Sequence, residues 1–252
     1  MNDLLIEMRD YLKRRGADYA DLRFESAMRE SVEVRNGKVE RVSSSQDQGV
    51  GVRVLLGGGW GFAATSESSR QALRQTSNLA MEVARASALV SRHKVILAQQ
   101  APQKGEYRSP CEKDPFEVPL SVKIDLLMRA CDTIQRDERI RVARGNIRWS
   151  KTRKWFLNTE GTETQQEIIV SAAGIEATAV SGNDAQKRSY PAGHEGDAAT
   201  RGFEFIEQMN LPGNAVRVRE EALMLLDAPE CPAGAQDVIL SGSQMALQIH
   251  ES

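Results

Sequence analysis

Leu4, Leu5, Met8 and Leu12 recur at three- and four-residue spacing, which is the period of one helix face, and Gly16 is placed to end that helix. The period then changes to two. Ala20, Leu22 and Phe24 alternate with polar residues, and Ser31-Val32-Glu33-Val34-Arg35 alternates as well, so half-buried strands are predicted. Asn36-Gly37 follows, a dipeptide suited to a two-residue hairpin turn that would set Val34 opposite Val39. A third strand is predicted from Val50 to Leu56, running into Gly57-Gly58-Gly59, with Trp60 to Ala64 as its returning partner. The result is an antiparallel meander. A helix is predicted next, with Ser66 as N-cap, Glu67 in the first turn, and Leu73, Thr76, Leu79, Val83, Ala86 and Val90 on one stripe.

The segment from Gln99 to Pro119 carries Pro102, Pro110, Pro115 and Pro119, half of the eight prolines in the chain, and reads as a linker or long surface connection. Beyond it, Ile124, Leu127, Cys131 and Ile134 give another helical stripe. Three strand-like stretches follow, Ile140 to Trp149, Lys154 to Asn158 and Glu167 to Val180, with a turn at Asn158-Thr159-Glu160-Gly161. Residues 181–202 are rich in Gly, Ser, Asn and Asp and read as a mobile loop, and Ala215, Val218, Ala222 and Leu225 mark a further helix. The class this order predicts is α+β, with helices packed on antiparallel sheets in two sub-domains, 1–100 and 120–230, joined by a linker over 101–119. The two halves share an order of elements without a sequence repeat.

Composition narrows the partners. The 252 residues hold 33 Lys+Arg against 35 Asp+Glu, a formal net charge of -2, so overall positive charge cannot hold a nucleic acid. The apolar runs are too short for a membrane span, and Glu7 and Asp10 interrupt what would have to be the apolar region of a signal peptide. Cys111, Cys131 and Cys231 are odd in number and widely spaced, so neither a disulfide framework nor a cysteine zinc cluster is predicted. Reduced thiols and a cytoplasmic location are the expectation.

Candidate chemistry is sparse. Gly57-Gly58-Gly59 with Gly61 lacks the Lys-Ser/Thr of a phosphate loop and sits between strands, so it is read as a hairpin turn, with Trp60 a packing residue. His93 lies near a helix end and is read as a surface residue. His194-Glu195 falls in the Gly-rich stretch and lacks a second His at i+4, which argues against a metal motif. His250-Glu251 has a different context. Val238-Ile239-Leu240 reads as a short strand, Ser241-Gly242-Ser243 offers an N-cap, and Met245, Ala246, Leu247 and Ile249 begin an apolar helix that would carry the pair. A His-Glu pair on a packed helix can supply a zinc ligand and a general base, although such a dipeptide also arises by chance.

Several segments together resemble the N-terminal part of TldD/PmbA-family proteins. They are Tyr19-Ala20-Asp21-Leu22-Arg23-Phe24-Glu25, the hairpin from Glu33 to Val42, Gly49-Val50-Gly51-Val52-Arg53-Val54 and Trp60-Gly61-Phe62-Ala63-Ala64-Thr65. Asn158-Thr159-Glu160-Gly161, Cys231-Pro232-Ala233-Gly234, Asp237-Val238-Ile239-Leu240 and His250-Glu251-Ser252 complete the set. The resemblance implies a TldD-type zinc metallopeptidase subunit, whose motif is His-Glu-x-x-x-His on a helix with a later Cys as a further ligand. By that match His250 is the expected zinc ligand and Glu251 the expected general base. Residues 231–252 would open the C-terminal metallopeptidase domain. The second motif His would fall beyond Ser252, so this stretch alone is not expected to hold zinc tightly or to hydrolyse peptides. The resemblance also implies unfolded or extended peptides as substrates, in peptide maturation or degradation. The implied partner is a second copy or a paralogous TldE/PmbA-type subunit, in a homodimer or heterodimer. The competing expectation is a non-catalytic dimerisation or peptide-binding module of the same family.

Overall fold

The computed structural model describes residues 1–191 and 196–252. In chain order the elements are α1 (Asn2–Arg14), β1 (Tyr19–Arg35), β2 (Lys38–Leu56), β3 (Gly59–Thr65), α2 (Arg70–Val90), β4 (Lys104–Arg108) and α3 (Leu120–Ile134). They continue with β5 (Ile140–Asn158), β6 (Glu163–Ser181), β7 (Asp184–Tyr190), β8 (Asp197–Ala199), α4 (Phe203–Met209), α5 (Leu211–Leu226) and α6 (Gly242–His250). The strand order is β3-β2-β1-β5-β6-β4, with β7 and β8 also pairing β6. The fold is α+β, and its sheet is antiparallel apart from β4, which runs parallel to β6 from Lys104 opposite Glu163 to Arg108 opposite Glu167.

Two compact units make up the chain, and each is assembled from three stretches. The first comprises 1–28, 45–109 and 151–168, and the second 29–44, 110–150 and 169–252. Strands β1, β2, β5 and β6 are 17 to 19 residues long, and each supplies one stretch to either unit.

In the first unit, Leu5, Met8 and Leu12 of α1 are buried, as their spacing predicts, with Ala20, Leu22, Phe24, Val50, Val52 and Val54 in the same core. The turn after β2 has Gly57 and Gly58 at φ 60° and 84°, and β2 pairs with β3 from Leu56 opposite Gly59 to Val50 opposite Thr65. That confirms the hairpin reading of the glycine run and adds a second role. A Cβ on Gly59 would lie 2.6 Å from the Ala84 carbonyl oxygen and 2.7 Å from Ala88 Cα, and one on Gly61 would meet the backbone of Ala80 and Ala84. Helix α2 therefore lies on bare strand backbone.

This close approach turns the buried face of α2 away from part of the predicted stripe: Leu73 and Thr76 are buried as read, and the rest of the stripe is not. The buried residues are Ala72, Leu73, Thr76, Ser77, Ala80, Met81 and Ala84, whereas Leu79, Val83 and Val90 are exposed. Small residues face the strand because large ones would not fit there. The N-cap is Ser69, which accepts from the Ala72 amide at 3.2 Å, rather than Ser66. The helix capped is thus three residues shorter than the apolar pattern suggested.

The second unit buries Val32, Val34, Ile147, Trp149, Ile175 and Phe203 against Leu127, Cys131 and Ile134 of α3 and Ala215, Val218 and Ala222 of α5. The Asn36-Gly37 turn has φ 49° and 68°, as the hairpin needs. Asn36 also accepts from the Ala143 amide at 2.8 Å through its side chain and donates its own amide to the Ala143 carbonyl at 2.8 Å. Val34 is buried but Val39 is exposed. Lys123, on the buried face of α3, donates to the carbonyls of Pro115 and Val118 at 2.6 and 3.0 Å and sits 3.7 Å from the Trp149 ring centroid. It ties the proline-rich stretch to the helix.

Other elements differ from the sequence reading. Residues 38–56 form one strand, because Ser43 to Gln48, polar on both faces, stay in the ladder while exposed. The segment read as linker contains β4. The stretch read as a mobile loop contributes to the sheet, since β7 pairs residues 184–190 with β6 and β8 adds residues 197–199. Ladder bonds between main chains carry those strands, and polar side chains give no signal of them. Helix α4 lacks a long apolar stripe and was not predicted. Val238 to Leu240 form no strand, for they are exposed and have no paired neighbour.

Candidate functional site

His250 closes α6 and Glu251 follows it. Both are exposed, and Ile249 beside them is also largely exposed. The helix starts with the Met245 amide donating to the Ser241 carbonyl at 2.9 Å, and the Ser252 hydroxyl donates to the Gln248 carbonyl at 2.8 Å. His250 and Glu251 are adjacent, but among the described residues no three His, Cys, Asp or Glu side chains come together as a metal site. His93 is exposed, three residues beyond α2. His194-Glu195 lies outside the described residues. Cys111 and Cys231 are exposed; Cys131 is buried, and burial pushes its thiol up to about 12, so it does not serve as a thiolate nucleophile at neutral pH.

A second constellation lies in the first unit, on the sheet face opposite the α1 and α2 core. On β1 the even-numbered Ala20, Leu22 and Phe24 enter that core, so Tyr19, Asp21 and Arg23 point the other way. Asp21 is only 1% exposed. Its Oδ2 accepts from Nε and Nη2 of Arg53 at 2.8 and 2.6 Å, and its Oδ1 from Nε of Arg23 at 3.3 Å. Each guanidinium lies over a ring, Arg53 at 4.7 Å from the Trp60 centroid and Arg23 at 5.1 Å from that of Phe156. Tyr19 meets Trp60 edge-on at 5.9 Å.

The turn after β5 completes the group. The Asn158 side chain accepts from the amides of Glu160 and Thr162 at 3.1 and 2.8 Å, and Thr159 pairs with the Ala20 backbone through its own amide and hydroxyl. Burial raises the Tyr19 pKa, the charge of Asp21 raises it further, and the hydrogen bond from Asn158 opposes the shift. Burial works against the charge on Arg53, but the hydrogen bond and charge of Asp21 outweigh it and raise the pKa. The constellation is a brace in which the Asp21 carboxyl group is held by two guanidinium groups, each lying over an aromatic ring.

Beside the brace is a cleft of about 330 Å³, lined by Tyr19, Arg53, Trp60 and Phe156 and by the segment from Leu97 to Gln103. No sequence argument singled out this cluster as a site. Four of the segments behind the family resemblance nevertheless meet in it: those beginning at Tyr19, Gly49, Trp60 and Asn158. The one available signal is an Asp and an Arg on the second face of a strand whose first face is apolar. Nothing in the pattern shows that the Asp is buried.

Comparison with known proteins bears on the same segments. The family model described as PmbA/TldA metallopeptidase domain 1 matches residues 20–88, and that for the PmbA/TldA metallopeptidase central domain matches residues 113–226. The chain belongs to the TldD/PmbA family. It is 27% identical over 241 residues to a metalloprotease of Methanothermobacter thermautotrophicus, covering 93% of this chain and 49% of that one. It is 28% identical over 235 residues to metalloprotease MJ0996 of Methanocaldococcus jannaschii, covering 93% and 50%. Among solved structures it resembles TldE from Thermococcus kodakarensis with a TM-score of 0.66 at 13% identity, covering 87% of this chain and 47% of that one. The chain thus spans about half the length of these relatives. A metallopeptidase family implies a metal, and the described residues of this chain do not by themselves form a site for one. No helix among them is long and apolar enough to cross a membrane.

Proposed function

We propose that this chain is the N-terminal part of a TldD-like zinc metallopeptidase that acts on unfolded or extended peptides, in peptide maturation or degradation. The observation that carries the reading is the order of matches. Models of domain 1 and the central domain of the family match 20–88 and 113–226, and beyond them His250 ends helix α6 with Glu251 directly after it. In this reading His250 is one ligand of a zinc site and Glu251 the general base, with the remaining ligands supplied from outside these 252 residues. The 252-residue chain alone is inactive. Residues 231–252 open the metallopeptidase domain. The working assembly is a cytoplasmic dimer, of two such chains or of this one with a TldE/PmbA-type subunit, a choice supported by the likeness to TldE.

The test compares the 252-residue chain with a product of the same reading frame continued past codon 252. Both are offered fluorogenic unfolded peptides with and without zinc. The longer product should cleave and the shorter should not. If no continuation or companion chain confers cleavage, the non-catalytic module is the correct reading.

A further inference from the structure

We propose that the free edge of β3, with the outer flank of α2 above it, is the surface through which two copies of this chain associate, β3 pairing antiparallel with its own counterpart about a two-fold axis at Phe62. The strand order places β3 at the end of the sheet. Other strands at the margins carry charges that discourage pairing, Lys104, Glu106 and Arg108 on β4 and Asp184, Lys187 and Arg188 on β7. Strand β3 has the sequence Gly59-Trp60-Gly61-Phe62-Ala63-Ala64-Thr65, without a charge, and Phe62 at its midpoint is 62% exposed. The tight turn at Gly57-Gly58, with both φ positive, makes Leu56 and Gly59 a hydrogen-bonded pair, so every second residue from Gly59 bonds inward to β2. The amides and carbonyls of Trp60, Phe62 and Ala64 therefore point outward, and no turn, loop or side-chain hydrogen bond among the described residues reaches them.

The symmetry of the strand selects the occupant. A second β3 laid antiparallel with Phe62 opposite Phe62 sets Trp60 opposite Ala64 and Ala64 opposite Trp60, so all three outward residues are paired at once. Helix α2 extends the same edge. Arg70 pairs with Glu7 at 3.0 Å, Arg74 lies over the Tyr11 ring and Asn78 accepts from the Tyr11 hydroxyl, so that flank of α2 faces α1. Helix α1 in turn reaches β6 through the Arg9–Glu163 ion pair, away from β3. Leu79 and Val83 stand about 180° around the helix from Arg70 and Arg74, over the free edge. They are 53% and 39% exposed. A two-fold axis normal to the sheet sets the two α2 helices side by side and antiparallel, with these apolar flanks toward each other. The inference rests on the dimer proposed above for its biological role, but association itself requires neither metal nor catalysis.

The experiment uses the 252-residue chain. Sedimentation velocity from about 1 to 100 μM, the range of a small interface, should show a monomer–dimer equilibrium. Phe62→Lys sets two like charges opposite each other on the axis and should weaken association at least about ten-fold. Ala64→Pro removes an outward amide without taking a bond from β2, and should act in the same direction. Tyr107→Lys, on the charged edge strand β4, should leave association unchanged. Amide exchange of the parent reads the interface without a variant. The amides of Trp60, Phe62 and Ala64 should exchange more slowly in concentrated than in dilute solution, and those of β4 should not change.

A monomer throughout the series, a dimer that both variants leave intact, or exchange at β3 that does not depend on concentration overturns the proposal. If the continued reading-frame product protects the same amides while remaining a monomer, its own added part covers the edge and the second copy is refuted. If β3 pairing fails while the longer product still cleaves peptides, the peptidase reading stands and only this interface is lost. If pairing holds and cleavage is absent, the reverse is true.

Discussion

Substituting Gly59 by Ala places a methyl group where helix α2 lies. The added carbon would sit 2.7 Å from Ala88 Cα and 2.6 Å from the Ala84 carbonyl oxygen. Carbon atoms normally approach to about 3.5–4.0 Å, so the helix must retreat by roughly 1 Å. The obstacle is backbone, which has no rotamer to change. Overpacking a core costs about 1–3 kcal/mol, and the upper end applies here because α2 moves as a body and loosens Leu73 and Met81 from their neighbours. At about 2–4 °C per kcal/mol for a chain of this size, a loss of about 3 kcal/mol lowers the melting temperature by roughly 6–12 °C. Gly105→Ala is the matched control, because Gly105 has nothing within 4 Å of an added Cβ and no positive φ. It should leave stability unchanged or raise it by about 0.5 kcal/mol. Thermal melts by circular dichroism and urea titrations of both variants provide the measurement. If Gly59→Ala melts with the parent while retaining its secondary structure, the strand and helix are not in backbone contact and the account of α2 is wrong.

Other consequences are as direct. Arg53→Met strips two hydrogen bonds from the buried Asp21 and should cost about 2–3 kcal/mol in urea unfolding; the Asp21→Asn/Arg53→Met pair should cost less than the sum of its singles, and strict additivity would deny the pairing. Glu204 is buried, and burial alone would raise its pKa. Backbone amides, those of Glu204 itself, Gly202, Lys113 and Glu112, outweigh this and lower it below the usual carboxylate value, with Gly202 and Lys113 donating at 2.9 and 3.0 Å. The stability it contributes is therefore present above the unfolded carboxylate pKa of about 4.3 and lost as pH falls through the folded one. Glu204→Gln should weaken the neutral-pH fold by about 1–2 kcal/mol and flatten that acid limb, and an unchanged acid limb would remove the assignment. With a thiol-reactive dye, Cys111 and Cys231 should label in the native chain and Cys131 only on unfolding, as mass spectrometry of the labelled peptides will show.

Much of the fold was legible because its signals are local. The spacing of Leu5, Met8 and Leu12 marks α1, and Asn36-Gly37 marks a turn that only positive φ allows. Where the reading failed, the decisive contact lay elsewhere in the chain. Leu79 and Val83 continue an apolar stripe of α2 from Leu73 and Thr76, yet Gly59 and Gly61 draw Ala80 and Ala84 inward by offering bare backbone. Ser43 to Gln48 carry no periodicity, but a neighbouring strand holds them in the ladder. The site shows the same division. His250-Glu251 stands out as a motif although its surroundings are open, whereas the Asp21, Arg53, Trp60 and Phe156 cluster consists of ordinary residues from four separate segments. Only folding brings their charges and rings together.

The central claim is that His250 and Glu251 belong to a zinc peptidase site completed outside these residues. Its most direct test is to purify the continued reading-frame product, with any partner subunit, as parent, His250→Ala and Glu251→Gln. Bound zinc and peptide cleavage are then measured on each. The account predicts that His250→Ala loses both the metal and the activity, while Glu251→Gln keeps the metal and loses the activity. Full zinc content and undiminished cleavage in both variants would contradict it.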